Sequence, residues 1–397
     1  TAIYGIVRVL FDFLGITRGG SELWWALLIL GLGMFSAVLG VLYSLLEHDL
    51  KRLLAMHSIE NIGIIFIGLG AAVFFSWARL PQLSALALFA ALYHTLNHAL
   101  FKSLLFLGAG SIAYATHERN IEHLGGLAKF MPVTAILFLL GSASIAAIPP
   151  LNGFVSEILT FNALLGGIGS SKTASLVLSL AVLFLALTSA LAVGAFVKAF
   201  GIPFLGLPRS KHATHAKEVP KTMLLGMGIL ALACIAAGVF PVIAAQSSIG
   251  IFDSLGFTDV SPTIVTAAEG LNTSTIMLLL ILGSIVVGGV IWLISRRKYD
   301  QIGETWGCGS PAGTPQMQYS AAGFAMPVIR ALNAWFDPLS KSAAYGSELF
   351  NYFIYAPLSN LFNSLAPHSA IFHTGKLSDY LMYLLVTLAI VLIYALS

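Results

Sequence analysis

Long stretches of apolar residues dominate this chain, and polar residues are concentrated in the short connections between them. A helix needs about 20 apolar residues to cross the hydrocarbon core of a bilayer, and about nine stretches satisfy that requirement in full or in part. They lie at Tyr4–Leu14 (partial), Leu23–Leu46, Ile59–Trp77, Ser84–Ala113, Met131–Leu165, Ala174–Phe204, Met223–Ala245, Ile276–Ser295 and Leu377–Leu396. The pattern predicts an all-α polytopic membrane protein.

One stretch, Met131–Leu165, is too long for a single straight span and carries helix-breaking residues near its middle. Pro149-Pro150 is followed by Asn152-Gly153, and proline removes a backbone donor and clashes with the preceding turn. We therefore expect a broken helix, which marks ion sites in transporters, because its freed carbonyls need protein or water as partners. Two helices joined by an ordinary turn are the alternative.

The composition supports a membrane protein and excludes several other classes. Of the 397 residues, 58% are hydrophobic and only 9% are charged, and the mean hydropathy is +0.90. Soluble domains carry about 25% charged residues, so this chain requires lipid as its solvent. A net charge of +3, without a basic run among aromatics, argues against nucleic-acid binding. Cys234 and Cys308 are far apart and indicate neither a disulfide framework nor a metal site.

Charges in the connections predict how the chain is oriented, because basic connections stay on the cytoplasmic side of a membrane. The connections after Phe204 and after Ser295 are basic, whereas the connection 246–274 between them carries only acidic charges. The residues concerned are Arg209, Lys211, Lys217 and Lys221, then Asp253, Asp259 and Glu269, then Arg296, Arg297 and Lys298. The alternation predicts that the basic connections face the cytoplasm.

The region between Tyr299 and Lys376 contains no complete span. Its aromatic-rich parts, Phe324–Phe336 and Leu349–Phe362, are interrupted by Pro, Asn and Ser. We expect these parts to form amphipathic helices in the cytoplasmic interface or to pack as loops on a soluble partner.

The richest ionisable run inside a predicted span is LYHTLNHALFK, residues 92–102. An ionisable group in a span costs about 2.5–3.5 kcal/mol on insertion scales, so it requires an explanation. His94, His98 and Lys102 recur every four residues and share one helical face, and histidine titrates near neutral pH. We interpret them as a proton relay along the span. Structural hydrogen-bonded histidines, a metal site, or a lysine that extends to the interface are the alternatives, although HxxxH lacks the glutamate of HExxH.

Two more ionisable residues lie in or beside predicted spans. Glu157 follows the predicted break, where a carboxylate of adjustable proton affinity suits a proton-loading site. Lys198 lies near the predicted cytoplasmic end of its span. Lys198 is a candidate for the same relay, and simple extension to the interface is its alternative.

A polar segment, EHDLKR, precedes the third predicted span. Asp49 can pair with Lys51 or Arg52, and His57 with Glu60. These residues are a candidate point of proton uptake or coupling, with a solvated turn as the alternative.

The sequence contains no motif for a redox or nucleotide cofactor. It has no Gly-rich dinucleotide loop, P-loop, cysteine cluster for iron–sulfur ligation or nucleophile elbow. We therefore expect no cofactor on this chain. Any redox chemistry would take place on another subunit, and whether the chain counts as an enzyme stays open.

Several of these runs carry a family resemblance. LKRLLAMHSIENIGIIFIGLG, LYHTLNHALFKSLLFLGAGSI and PPLNGFVSEILTF resemble the core of the antiporter-like subunits shared by respiratory complex I, Mrp antiporters and membrane-bound hydrogenases. The likeness covers roughly residues 1–245. HSIENIG and the later TWGCG, MQY and GFA elements resemble the branch of these subunits found in hydrogenase-4 and formate hydrogenlyase.

The resemblance implies roles for individual residues. His94, His98 and Lys102 match the family's central relay on its eleventh helix, and Glu157 matches the relay terminus on the broken twelfth helix, a position that varies between Lys and Glu. The fold implied is the second half of an inverted-repeat transporter. The first repeat is expected to precede Thr1, so the resemblance predicts that the chain lacks its N-terminal half.

The resemblance also implies a function. Residues 1–245 would form the proton-translocating domain of a membrane subunit in a group 4 nickel–iron hydrogenase or formate hydrogenlyase, and 246–397 a C-terminal extension with two further spans. Partners would be other membrane subunits and peripheral subunits that hold nickel–iron and iron–sulfur centres, in a prokaryotic cytoplasmic (inner) membrane. A subunit of NADH–quinone oxidoreductase, a stand-alone Mrp-type cation/proton antiporter and a purely structural anchor are the alternatives.

Overall fold

The computed structural model describes residues 2–18, 22–257, 259–295, 314–335, 355–370, 382–383 and 385–387. Regular structure in this part of the chain is helical, without strands, which confirms the all-α prediction. The helices are α1 Ala2–Val7, α2 Leu23–Leu46, α3 Leu50–Trp77, α4 Pro81–Thr116, α5 Pro132–Ile145, α6 Asn152–Gly167, α7 Lys172–Phe204, α8 Lys211–Thr214, α9 Lys221–Val239, α10 Pro241–Ser254, α11 Ser261–Gly270, α12 Thr273–Ser295, α13 Ala321–Trp335 and α14 Ala356–Ala370.

Six stretches of the described chain are long and apolar enough to cross a membrane. They are α2, α3, α4, α7, α9 and the stretch Ser261–Ser295, which contains α11 and α12. The predicted total of about nine spans stays a prediction, and most of Leu377–Leu396 lies outside the described residues. Residues 1–335 form one compact unit and 336–397 a second. The predicted functional division at residue 245 stays a prediction.

The predicted span Met223–Ala245 is present as α9 but ends earlier than predicted, and the predicted loop after it is wrong. Helix α9 ends at Val239, and α10 begins at Pro241, because proline is accommodated in the first turn of a helix but not in its interior. The segment 246–274 is mostly helical, as the second half of α10 and all of α11. The sparse acidic residues of this segment therefore lie on or beside short helices.

Helices α2 and α3 approach each other closely along a line of small residues. A Cβ atom added to Gly40 would lie 2.8 Å from the Cα atom of Glu60, and one added to Gly63 would lie 2.8 Å from that of Ala37. Gly33 makes an equally close approach to α3. Because hydrophobic burial does not drive helix association within lipid, close contact of this kind stabilises helix pairs there. It places α3, the most buried of the six candidate spans, in the middle of the bundle.

The predicted break in Met131–Leu165 is present, between the end of α5 at Ile145 and the start of α6 at Asn152. Ala147 in this break has a φ of +51°, in the left-handed region that non-glycine residues rarely adopt. Gly153 packs against the carbonyl of Ser144, and Gly238 of α9 packs against the backbone of Pro150. The break is therefore enclosed by protein, as irregular backbone at membrane depth requires.

Candidate proton-transfer site

Helices α3, α4, α6 and α7 direct polar side chains into the interior of the bundle. Each of these side chains is nearly inaccessible to solvent. A polar side chain in an apolar interior is stable only with hydrogen-bond partners, so the partners of each one matter. The buried set is His57, Glu60, Asn61, His94, Asn97, Lys102, Asn152, Ser156, Glu157 and Lys198. The described structure thus brings most of the residues predicted from sequence into one region.

His94 lies at the centre of this set and is hydrogen-bonded on both sides of its ring. Its Nε2 atom is 3.2 Å from Oδ1 of Asn61 on α3, and its Nδ1 atom is 2.9 Å from Oγ of Ser156 on α6. The amide nitrogen of Asn61 donates to the His57 carbonyl at 2.8 Å, so its oxygen must face His94. Nε2 therefore carries a hydrogen, and in the neutral ring Nδ1 accepts from Ser156.

The Ser156 hydroxyl can serve both protonation states of His94. Its oxygen also lies 3.1 Å from the Asn152 carbonyl and 3.2 Å from the Gly153 carbonyl, and it accepts a hydrogen bond from Asn97 at 3.1 Å. When His94 gains a proton, Nδ1–H donates to Ser156, and the hydroxyl hydrogen turns to one of these carbonyls. A proton can therefore be gained or lost without movement of any heavy atom.

The broken helix is held against α4 by two asparagines. Asn97 donates to the Asn152 carbonyl at 2.8 Å, and the Asn152 amide lies 3.4 Å from Oδ1 of Asn97. Asn152 Oδ1 accepts from the backbone N–H of Gly153 at 3.1 Å. These contacts fix the start of α6, and with it Ser156 and Glu157, relative to His94.

Glu157 is buried on α6 at its contact with α7. Its Oε2 atom accepts a hydrogen bond from the Ser189 hydroxyl at 2.6 Å. The carboxyl is also close enough to the Glu60 carboxyl for the two groups to interact electrostatically. Glu157 therefore lies at the α6–α7 contact, with a hydroxyl that can donate to the ionised carboxylate.

The predicted pairing of His57 with Glu60 is present. His57 Nδ1 is hydrogen-bonded to Oε2 of Glu60 on the next turn of α3, and both side chains are buried. Lys102 donates from Nζ to the Leu54 carbonyl of α3 and lies within Coulomb range of Glu60. Lys102 is 5% exposed, so it does not extend to the interface.

His98 shares a helix face with His94 and Lys102 but is bonded differently. Its ring meets Phe101 edge-on, with 5.7 Å between ring centroids, and its Nε2 atom has no hydrogen-bond partner among the described residues. The hydrogen bonds of His94 run to neighbouring helices and not along α4. The structure thus brings the three residues of the predicted relay to one face without direct hydrogen bonds between them.

Lys198 is fully buried and binds the end of another helix. Its Nζ atom donates to the carbonyls of Leu45 at 2.7 Å and Glu47 at 2.6 Å. These carbonyls belong to the C-terminal end of α2, where backbone acceptors lack partners and the helix dipole favours a positive charge. Extension of Lys198 to the interface, the alternative from sequence, is therefore wrong.

The Asp49 pairings expected from sequence are replaced by other contacts. Asp49 Oδ1 caps α3 by accepting from the backbone N–H groups of Lys51 and Arg52, at 2.9 and 3.0 Å. Its other oxygen lies 3.6 Å from Nε of Arg119, and the Arg52 guanidinium pairs with Glu47 at 3.0 Å. A carboxylate is a preferred N-cap, so Asp49 mainly defines where α3 begins.

Glu47 connects the buried lysine with the polar end of the bundle. Burial raises the pKa of the Glu47 carboxyl, an effect that the nearby Arg52 opposes. Burial also lowers the pKa of the adjacent His48, which lies 3.7 Å from Glu122. Both shifts favour the neutral forms of groups located just outside the α2 span.

Sequence reasoning missed the neutral members of the site, Asn61, Asn152, Ser156 and Ser189. Neutral polar residues occur throughout apolar helices, so their types alone carry little signal. A usable signal was their position relative to the ionisable residues: Asn61 lies one helical turn after His57, and Ser156 directly precedes Glu157.

Among the described residues no group of His, Cys, Asp and Glu could hold a metal ion.

The sequence was compared with known families and proteins. Residues 1–188 match the family model described as NADH:quinone oxidoreductase/Mrp antiporter, transmembrane. Hydrogenase-4 component B of Escherichia coli (strain K12) is 36% identical over 98% of this chain and 62% of its own length. Formate hydrogenlyase subunit 3 of the same strain is 38% identical over 87% of this chain and 58% of its own length. The chain thus spans about three fifths of these relatives.

A solved structure shares the fold. A chain of the membrane-bound sulfane sulfur reductase, an archaeal respiratory membrane complex, superposes with a TM-score of 0.64 at 24% sequence identity. The match covers 92% of this chain and 56% of that one. At this identity the likeness concerns the fold alone.

Proposed function

Starting from the homology of this chain to antiporter-like membrane subunits of complex I-related hydrogenases, we propose that it moves protons through the site around His94. Relatives of this kind are subunits of multi-subunit membrane complexes. The partners would be peripheral hydrogenase subunits with nickel–iron and iron–sulfur centres, and further membrane subunits. The location would be a prokaryotic cytoplasmic membrane.

The hydrogen bonding of His94 is the observation that supports this proposal. A purely structural histidine needs one satisfactory set of partners, whereas His94 has partners for two protonation states through the Ser156 hydroxyl. A group that must load and release a proton requires this property. The same geometry keeps the site ready for repeated cycles.

The proposed path links Lys102 with Glu157 by way of His98 and His94. No direct hydrogen bond joins these side chains in the described structure, so bridging water would complete the sections between them. Lys198, with Glu47 beyond it, would serve proton uptake at the end of the bundle that carries Arg209 and the neighbouring lysines. His57 and Glu60 would adjust the charge around Lys102.

Electron transfer in the partner subunits would drive proton movement electrostatically. A change of charge in a neighbouring subunit alters the balance of charges around Lys102 and Glu60, because ionisable groups within a few ångströms influence each other's protonation. This chain would supply the proton-carrying groups and the partners the redox chemistry. Hydrogen evolution and proton movement would then be separable by mutation.

The test uses the full-length protein in its native complex, reconstituted in sealed vesicles. Hydrogen evolution and acidification of the vesicle lumen are measured together. We expect Lys102→Ala and His94→Gln to lower proton movement at least tenfold while hydrogen evolution in uncoupled vesicles is maintained. Full proton movement by Lys102→Ala would refute the proposal.

Purification of that complex tests the proposed partners separately. Mass spectrometry of the co-purified subunits should identify large and small nickel–iron hydrogenase subunits. NADH-oxidising subunits would instead assign the chain to a complex I, and exchange activity without redox partners would favour a cation/proton antiporter. Hydrogen evolution with no ion movement in wild type or variants would leave only a structural anchor.

A further inference from the structure

Two adjoining cavities lie along the outer side of α7, apart from the proton-transfer site. The larger, of about 390 Å³, is lined by residues that include Arg209, Gln318, Tyr319 and Phe324. The smaller, of about 180 Å³, lies between α5 and α7. Val197, Gly201 and Leu205 line both cavities. The two cavities therefore adjoin along this side of α7, and together they are named here the α7 groove.

The larger cavity forms the polar end of the α7 groove and is built by the MQY element of the sequence. The Gln318 amide binds the backbone of Leu207 twice, accepting from its N–H at 2.6 Å and donating to its carbonyl at 3.1 Å. Arg209 donates from Nη2 to the Tyr319 carbonyl at 2.5 Å. These contacts dock residues 317–319 on the connection after α7.

The Arg209 guanidinium has one nitrogen that makes no hydrogen bond within the described part of the chain. Its Nη1 atom is buried and has no hydrogen-bond partner among the described residues. A buried unpaired donor, and one on a charged group above all, is unfavourable. A guanidinium is also shaped to bind phosphate or carboxylate oxygens in pairs. The polar end of the groove therefore favours an anionic group.

The smaller cavity has the opposite character. Its lining is apolar except for Ser142, and several lining residues, such as Leu139, Val193 and Val197, are partly exposed on the outer face of the bundle. From Val193 to Leu205 the groove follows α7 for about 18 Å, at about 1.5 Å of rise per residue. A slot of this kind accepts an extended hydrocarbon chain.

We propose that the α7 groove binds an anionic phospholipid, with the headgroup phosphate at Arg209 and an acyl chain between α5 and α7. A ligand with a charged head and a long apolar tail matches the change of lining along the groove. The groove ends at the connection after α7, where Lys211 follows Arg209 by two residues in the chain and adds to the attraction of anionic headgroups over neutral ones. The bound lipid would join the MQY segment to the membrane helices.

The test uses the full-length protein in its native complex in nanodiscs of equal parts phosphatidylglycerol and phosphatidylcholine. Retained lipid is counted by native mass spectrometry after detergent washing, and its position is mapped with an acyl-diazirine phosphatidylglycerol. We expect Arg209→Gln to reduce retention of phosphatidylglycerol about tenfold, since it removes a charge-assisted hydrogen bond. Lys217→Gln, which alters an exposed charge outside the groove, should retain it.

Glycine substitutions test the position of the acyl chain. A Cβ atom at Gly201 or at Gly194, seven residues earlier on α7, meets no atom within 4 Å, so a side chain can be introduced at both positions without a clash at Cβ. Only Gly201 lines the groove. Gly201→Leu should abolish diazirine labelling of residues 193–209, and Gly194→Leu should leave it unchanged.

Three results would overturn the proposal. Equal loss of phosphatidylglycerol from the Arg209→Gln and Lys217→Gln variants would show only general attraction by the basic connection. Displacement of the bound species by millimolar inorganic phosphate would identify a free anion site. Cross-links from a photoreactive residue at position 201 to another protein subunit, with no lipid adduct, would identify the groove as a protein interface.

Discussion

Ser156 gives the Nδ1 atom of His94 a hydrogen-bond partner in both protonation states. Ser156→Ala removes the partner of His94 Nδ1, and the loss of such a partner costs about 1–3 kcal/mol, so we expect proton movement to fall about tenfold or more. The measurement is lumen acidification per hydrogen evolved. Thr160→Val is the matched control, because the Thr160 hydroxyl binds only the Ser156 carbonyl in the described structure. Equal effects of the two variants would contradict the assigned role.

Lys198 is a second single residue whose replacement has a testable effect, in this case on the stability of the fold. Lys198→Met leaves the carbonyls of Leu45 and Glu47 without their donor, so we expect the unfolding free energy in detergent to fall by about 2–4 kcal/mol. Lys198→Arg, which keeps donors and charge, should lose less. The measurement is thermal or denaturant unfolding followed by tryptophan fluorescence. Unchanged stability of Lys198→Met would show that the two carbonyl contacts contribute little.

Single residues also show how far sequence reasoning extends. Ionisable types inside apolar spans pointed to His94, Lys102, Glu157 and Lys198, and all four are buried. Their partners could not be predicted, since a hydrogen bond between α4 and α6 depends on how helices pack and not on spacing within one helix. The regular four-residue spacing on α4 therefore indicated a shared face correctly, but not the bonds of His98.

Glycines at the contact between α2 and α3 determine how closely these two helices pack. Gly40→Ala places a methyl group against the backbone of Glu60, so the two helices must separate. We expect loss of several degrees in unfolding temperature, measured in detergent. Gly31→Ala is the matched control on α2: nothing lies within 4 Å of its added Cβ, and alanine favours the helix by up to about 1 kcal/mol. Destabilisation by both variants alike would argue against the close contact.

Helix boundaries are predictable where a local residue determines them. The pair Pro149-Pro150 indicates the break between α5 and α6, and the break is present. Pro241 carries the same kind of signal, but the apolar stretch on both sides of it has the hydropathy of one span. Hydropathy measures the length of an apolar run without regard to backbone hydrogen bonds, so it cannot separate one span from a shorter helix followed by another.

Orientation in the membrane is a property of the whole molecule. The connection after α7 is basic, and the short connection 168–171 lies at the other end of α7. In a variant with Cys234 and Cys308 replaced by serine, we expect Lys217→Cys to react with a membrane-impermeant maleimide only in inverted vesicles and Ser170→Cys only in intact cells. Both positions are exposed. The reverse pattern would overturn the orientation derived from charge.

The sideways hydrogen bonding of His94 has an electrical consequence. Its Nδ1 bond to Ser156 crosses between α4 and α6 and spans 2.9 Å, so a proton moved along it changes depth by no more than about a tenth of a 30 Å hydrocarbon core. A full crossing costs about 2.3 kcal/mol per charge at 100 mV, and such a step therefore costs about 0.2 kcal/mol or less. Proton exchange at His94 should be nearly independent of the transmembrane voltage, which acts instead on the steps that lead to each surface.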